Sequence, residues 1–113
     1  MSDKQVFYTH LLQQRSVTWP VERGISFIGC REDCHWGMAL HVEHQMMPSE
    51  QFRHALAQRF GEARRYADYR FIFDPRQDFV IWRALPGVSN AEVSLEGIRR
   101  AQLTLAGFGH LFV

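Results

Sequence analysis

The chain has 113 residues, of which 46% are hydrophobic and 22% charged, with 13 basic against 12 acidic side chains and a formal charge of +1. Its length fits a single domain, residues 1–113. Its apolar share excludes a disordered chain, and its balanced charge gives no reason to expect nucleic acid or an anionic membrane as a partner. Nine Phe, three Trp and three Tyr are many for so small a core, so some of these rings are expected at an interface. The start, Met1-Ser2-Asp3-Lys4, is polar and shows no signal-peptide hydrophobic stretch. No apolar run approaches the roughly 20 residues of a membrane span. A cytoplasmic protein is expected, with Cys30 and Cys34 as thiols.

Residues 4–14 predict a first helix, with Phe7, Leu11 and Gln14 on one face and Tyr8 and Leu12 beside it. Residues 16–21 contain Trp19-Pro20, and a proline cannot donate to a sheet ladder, so this piece is a linker or an edge strand. Ile25 and Phe27 open a strand, residues 31–34 suit a turn, and Trp36, Met38, Leu40 and Val42 alternate with smaller or polar residues in a second strand. The two strands form a hairpin. Pro48-Ser49-Glu50 starts a middle helix with Ser49 as its cap, Phe52, Leu56 and Phe60 at spacing four, Ala55 beside them and Gly61 at the end. Residues 62–68 read as a charged connector. Tyr69, Phe71 and Phe73 alternate with Arg70 and Ile72, residues 74–78 form a turn, and Phe79, Ile81 and Arg83 alternate with Val80, Trp82 and Ala84 in the clearest hairpin of the chain. Pro86-Gly87 stops it. Ser89 or Asn90 caps a last helix whose apolar stripe is Leu95, Ile98, Ala101, Leu105 and Phe108, with Arg99 and Arg100 off the stripe. Gly97 weakens that helix unless something packs closely against it. Gly107 and Gly109 fit its end, and residues 111–113 form a short apolar tail. The predicted fold is α+β, in the order helix-strand-strand-helix-strand-strand-helix, with a mainly antiparallel sheet and helices packed on one face.

Few constellations of chemical side chains stand out. Cys30, Cys34, His35, His41 and His44 are zinc-ligand types. Their spacing is poor, because the cysteines flank a turn and an odd separation on a strand sends His41 and His44 to opposite faces. No metal is therefore expected. Cys34 with His35 or His41 would be needed for a thiol- or metal-dependent enzyme, but no nucleophile turn or oxyanion loop accompanies them, and no enzyme activity or cofactor is expected. Glu32 and Asp33, like Asp74 and Asp78, read as solvated turn residues rather than acid-base pairs. Arg64, Arg65, Arg70, Arg76 and Arg83 alternate with Tyr66, Tyr69 and Trp82, a pattern that suits single-stranded nucleic acid. Glu62, Asp68, Asp74 and Asp78 interrupt it, which favours a solvated face or one that meets an acidic partner.

The remaining feature is an apolar surplus. Both faces of the second hairpin carry large apolar residues, and one layer of helices covers only one face. The other face calls for a second copy or a partner, unless the chain covers it itself. Phe52, Leu56, Phe79 and Trp82 are the candidate partner-binding anchors, being large apolar groups on the middle helix and this hairpin.

The order of elements is similar to that of the small class I chaperones of type III secretion. Phe7-Tyr8-Thr9-His10-Leu11, Val17-Thr18-Trp19 ahead of Gly24, and Phe79-Val80-Ile81-Trp82-Arg83 resemble, within that group, the HrpV-type regulators of plant-pathogenic bacteria and their HrpG-type chaperone-like partners. The resemblance implies a non-enzymatic cytoplasmic protein that works by protein binding, as a homodimer or a heterodimer. Its partner would be a transcriptional activator, a secreted effector or a second chaperone-like protein. Class I chaperones are usually acidic, so the near-neutral charge of this chain favours the regulator.

Overall fold

A computed structural model describes residues 2–85 and 91–111, with backbone alone for residues 91–94. The order is α1 (Asp3–Leu12), β1 (Val17–Glu22), β2 (Ile25–Glu32), β3 (His35–Val42), α2 (Ser49–Gly61), α3 (Ala63–Tyr66), β4 (Arg70–Phe73), β5 (Phe79–Ala84) and α4 (Ala91–Ala106), with short 3-10 turns at His44–Met46 and Gly109–Leu111. The fold is α+β, and the five strands form one antiparallel sheet in the order β1-β2-β3-β5-β4. No helix among the described residues is long and apolar enough to cross a membrane.

Side-chain alternation decides which face of the sheet is covered. Ile25, Phe27, Met38, Leu40, Val42, Phe79 and Ile81 share one face and are buried with Phe7 and Leu11 of α1 and Leu95, Ile98, Leu103 and Leu105 of α4. α1 starts at a capping box, with Ser2 Oγ accepting from Gln5 N–H at 3.2 Å and Gln5 Oε1 accepting from Ser2 N–H at 3.1 Å. Gln102 of α4 is fully buried and donates to the carbonyls of Met38 and Ile81 at 2.8 and 3.0 Å, pinning the helix across β3 and β5. Gly107, at φ +85°, ends α4 in the left-handed conformation that glycine adopts without cost.

The predicted hairpins are present, and the proline-bearing segment is an edge strand, β1, whose register shifts between Pro20 and Glu22. Several expectations need correction. Arg31 and Glu32 belong to β2, and the turn is only Asp33-Cys34, both at positive φ (49° and 67°), as a two-residue hairpin requires. Ser49 is the first residue of α2 and makes no capping bond; the cap position is Pro48. Of the α2 stripe, only neighbouring Ala55 is fully buried, and Phe60 is exposed. Residues 62–68 contain α3, which buries Tyr66. Gln14 lies beyond the end of α1. Arg99 is not a surface residue. It is 1% exposed and pairs with Glu96, which also accepts from Tyr8 Oη at 2.7 Å and so ties α4 to α1. A Cβ at Gly97 would meet nothing within 4 Å, so α4 carries the full glycine cost of about 1 kcal/mol. The proposed stop at Pro86-Gly87, the caps Ser89 and Asn90, and Phe112-Val113 lie outside the described residues.

Candidate functional site

The two edges of the sheet are built differently. β1 carries Pro20 and a register shift, devices that blunt an edge strand. β4 has neither. Among the described residues its four, Arg70-Phe71-Ile72-Phe73, pair only with β5, so its outer N–H and C=O groups face outward. Phe73 is 53% exposed. Its ring lies 5.0 Å from Phe52 of α2, and Phe52 stands 5.2 Å from Phe79 in an edge-on arrangement. Further along α2, Phe60 is 68% exposed. The Arg59 guanidinium lies between Phe60, 5.5 Å from that ring, and Phe71, 5.7 Å from that one. Arg59 Nε also donates to the Tyr69 carbonyl at 2.7 Å, which fixes α2 against the start of β4. An aromatic band, Phe60, Phe71, Phe73 and Phe52, therefore runs along a short sheet edge that has neither proline nor register shift. It ends in a cleft of about 220 Å³ lined by Met47, Phe52, Phe73, Phe79 and His44.

The four predicted anchors fall in different places. Phe52 forms a wall of the cleft and Leu56 is half-buried on the same helix. Phe79 is 1% exposed and floors the cleft, so it supports the site rather than projecting from it. Trp82 is on the opposite face of the sheet and is 4% exposed. On that face no helix among the described residues lies over β2, β3, β5 and β4, and Ile28, Ile72 and Val80 are half-buried there among Ser26, His41 and Thr18. Trp82 is covered by the chain's own Arg70, whose guanidinium is 5.3 Å from the ring. The apolar surplus is thus partly self-covered, and among the described residues the most exposed phenylalanines are Phe60 and Phe73. In the sequence Phe60 shares the apolar stripe of the middle helix with Phe52 and Leu56, and Phe73 lies on a strand face, and neither is among the predicted anchors. Their signal was position: Phe60 is the last residue before the terminal Gly61 of α2, and Phe73 is the last residue of a short strand.

The zinc-type residues do not assemble as a set. Cys34 is exposed at the tip of the β2–β3 turn and Cys30 is half-buried on β2, both as free cysteines. Burial, then nearby Glu32, pushes the Cys30 thiol up. His35 Nδ1 bonds the Asp33 carbonyl at 2.9 Å, and His41 stands at the other end of β3, about 20 Å from the turn. Cys34, His35 and His41 are therefore not one catalytic group. His41 instead meets two aspartates: its Nε2 is 3.3 Å from Asp74 Oδ2 and 3.3 Å from Asp78 Oδ2. Among the described residues this trio is the group that could hold a cation, its ligand atoms lying within 4.8 Å of one another.

The same carboxylates already have structural work. Asp78, read from sequence as solvated, is 4% exposed and accepts from His44 N–H at 2.9 Å, with His44 Nδ1 3.1 Å away. The His44 N–H holds its carboxyl below the usual range against the opposing effect of burial, and His44 and His41 add to this. For Asp74, burial pushes upward, but the Asp78 N–H, His41 and the Arg76 N–H together hold it below the usual range. These contacts lock the β4–β5 turn against β3. The signal for them was long-range, since residues 41 and 44 and residues 74 and 78 meet only once the sheet has formed.

Compared with protein-family models, with curated proteins and with solved structures, the chain matches none of them.

Proposed function

We propose that this chain is a cytoplasmic, non-enzymatic protein-binding regulator or chaperone-like adaptor of a bacterial type III secretion system. Its partner is a transcriptional activator, a secreted protein or a second chaperone-like protein. The observation that carries the binding role is the outer β4 edge, short but without proline or register shift, flanked by exposed Phe60 and Phe73. An edge of this kind takes an added strand through main-chain hydrogen bonds, while adjacent apolar clefts select its side chains. Aromatic rings are the side chains from which interface anchors are most often drawn. The secretion context rests on the resemblance of the sequence segments given above and on the order of elements.

Co-purification from cells expressing such a secretion system tests this. The wild-type chain is expected to recover an activator, a secreted protein or a chaperone-like protein. The double variant Phe60→Lys, Phe73→Lys is expected to lower that affinity about tenfold or more, with stability changed by less than about 1 kcal/mol because both rings are exposed. Undiminished recovery by the double variant would reject this edge as the interface. Recovery of none of these proteins by the wild type would reject the secretion role.

A further inference from the structure

At the other end of β4 the ladder stops at the Arg70–Trp82 pair, while β5 runs on to Ala84. The missing strand leaves a notch of about 510 Å³, walled by His35, Arg59, Asp68, Arg70, Trp82 and Arg83. Three guanidinium groups border this space, and their partners among the described residues leave donors unused. Arg59 spends Nε on the Tyr69 carbonyl, its one hydrogen bond among the described residues. Arg70 Nη1 pairs with Asp33 Oδ2 at 2.7 Å on the exposed rim. Arg83 Nη1 reaches the carbonyl of neighbouring Ala84 at 3.2 Å, and its Nη2 is 3.7 Å from the exposed Asp68 carboxylate. Arg83 Nε–H is buried and meets no acceptor among the described residues. A buried donor without an acceptor is costly to the fold, and it marks Arg83 as a guanidinium whose hydrogen bonding the described residues leave incomplete.

Charge and shape narrow the ligand. The lining has three arginines against a single aspartate, so it favours an anion. The Trp82 ring is already covered by Arg70, so it gives the notch a wall and no free face for stacking a flat ring. Guanidinium donors in a fork match the paired oxygens of carboxylate and phosphate.

We propose that this notch is a binding site for an oxyanion, a carboxylate or phosphate group held by Arg59 and Arg83 with Arg70 at the rim. The site does not depend on the protein-binding role. The group is carried either by a free small anion or by an acidic side chain of another protein, and the probes below separate the two. The protein is titrated with sodium phosphate, with citrate and with an acetylated hexaglutamate peptide, each against sodium chloride at matched ionic strength. Melting temperature and the NMR shift of the Trp82 indole N–H are followed. At least one probe is expected to give a saturable response beyond that of chloride. Arg59→Gln and Arg70→Gln are each expected to raise its apparent Kd about tenfold. Every variant is compared with its own ligand-free state, and exposed Arg70 keeps the test open if Arg59→Gln folds poorly. A response to phosphate or citrate supports the site with a free anion as its ligand, and a response to the peptide alone supports it with a protein source. No saturable response to any probe, or a response that neither variant weakens, overturns the proposal.

Discussion

Trp82→Ala is expected to destabilise the fold by about 3–5 kcal/mol, read as a lowered midpoint in urea unfolding. Trp82 points away from the helices, where a large apolar ring would ordinarily be wet. Its burial is built from within the sheet. The indole packs on Gly37 of β3 so closely that a Cβ there would sit 2.5 Å from the ring, as well as 2.5 Å from the Arg83 carbonyl oxygen. Its Nε1–H reaches across to the Cys30 carbonyl on β2 at 3.3 Å. Arg70 closes over the top. One side chain therefore bridges β5, β3 and β2 and acts as a core residue on the face that the described helices leave uncovered. Truncation would uncover Gly37, orphan the contact of Arg70 and leave a void. A partner lost by Trp82→Ala would be lost through the fold, which is why Phe60 and Phe73 are the informative positions for binding. An unchanged midpoint would mean that the ring is not packed.

Glu96→Gln is expected to lower stability at neutral pH by about 2 kcal/mol. The carboxylate joins the buried Arg99, the Tyr8 hydroxyl of α1 and Lys4, 3.7 Å away. Its side chain is partly exposed and Arg99 has further interactions, which keeps the loss below that of a fully buried pair stripped of one member. Arg99 most strongly, with Tyr8 and Lys4 and against the effect of burial, holds the Glu96 carboxyl down at about 2, from an ordinary 4.5. The folded state thus binds this proton less readily than the unfolded chain. The stabilisation is complete above pH 4.5 and is lost as the pH falls from 4.5 toward 2. Asp74 and Asp78, also held low, add to the acid loss in the same direction. Glu96→Gln should flatten the fall in unfolding free energy across that interval, and an identical acid profile in the variant would contradict the account.

Local alternation made most of the sheet legible. β3 announces itself because every second residue is large and apolar, β2 and β5 because β-branched and aromatic residues cluster between turn signals, and the turn at residues 74–78 is dense in Asp and Pro. β1 was ambiguous because Pro20 is compatible with both a linker and an edge, and only pairing with β2 decides. α3 was hidden because charged residues surround its single anchor, Tyr66. What the apolar stripe of α2 packs against was not legible for a different reason. An apolar stripe marks a face that leaves water without saying what it leaves water for. Phe52 turns toward β4, Phe60 stays in solvent, and the helix meets α4 through Gln51, which donates to the Ala106 carbonyl, beside small Ala55. Buried Asp78 and Arg99 were missed because polar residues are read as surface by default. For Arg99 a local hint existed in Glu96 three positions earlier. For Asp78 the partners His41 and His44 lie on β3 and in the 3-10 turn after it, more than thirty positions away.

The most direct test of the β4 edge as a protein interface is site-specific photo-crosslinking in cells that express a type III secretion system. A photoreactive phenylalanine analogue is placed at Phe73 on the β4 edge, and in a separate chain at Thr18 on the blunted β1 edge, both of them exposed positions. The account predicts a discrete adduct from position 73, to a second copy of the chain or to an activator, a secreted protein or a chaperone-like protein, and no adduct from position 18. No adduct at 73, or equal labelling at both edges, would contradict it.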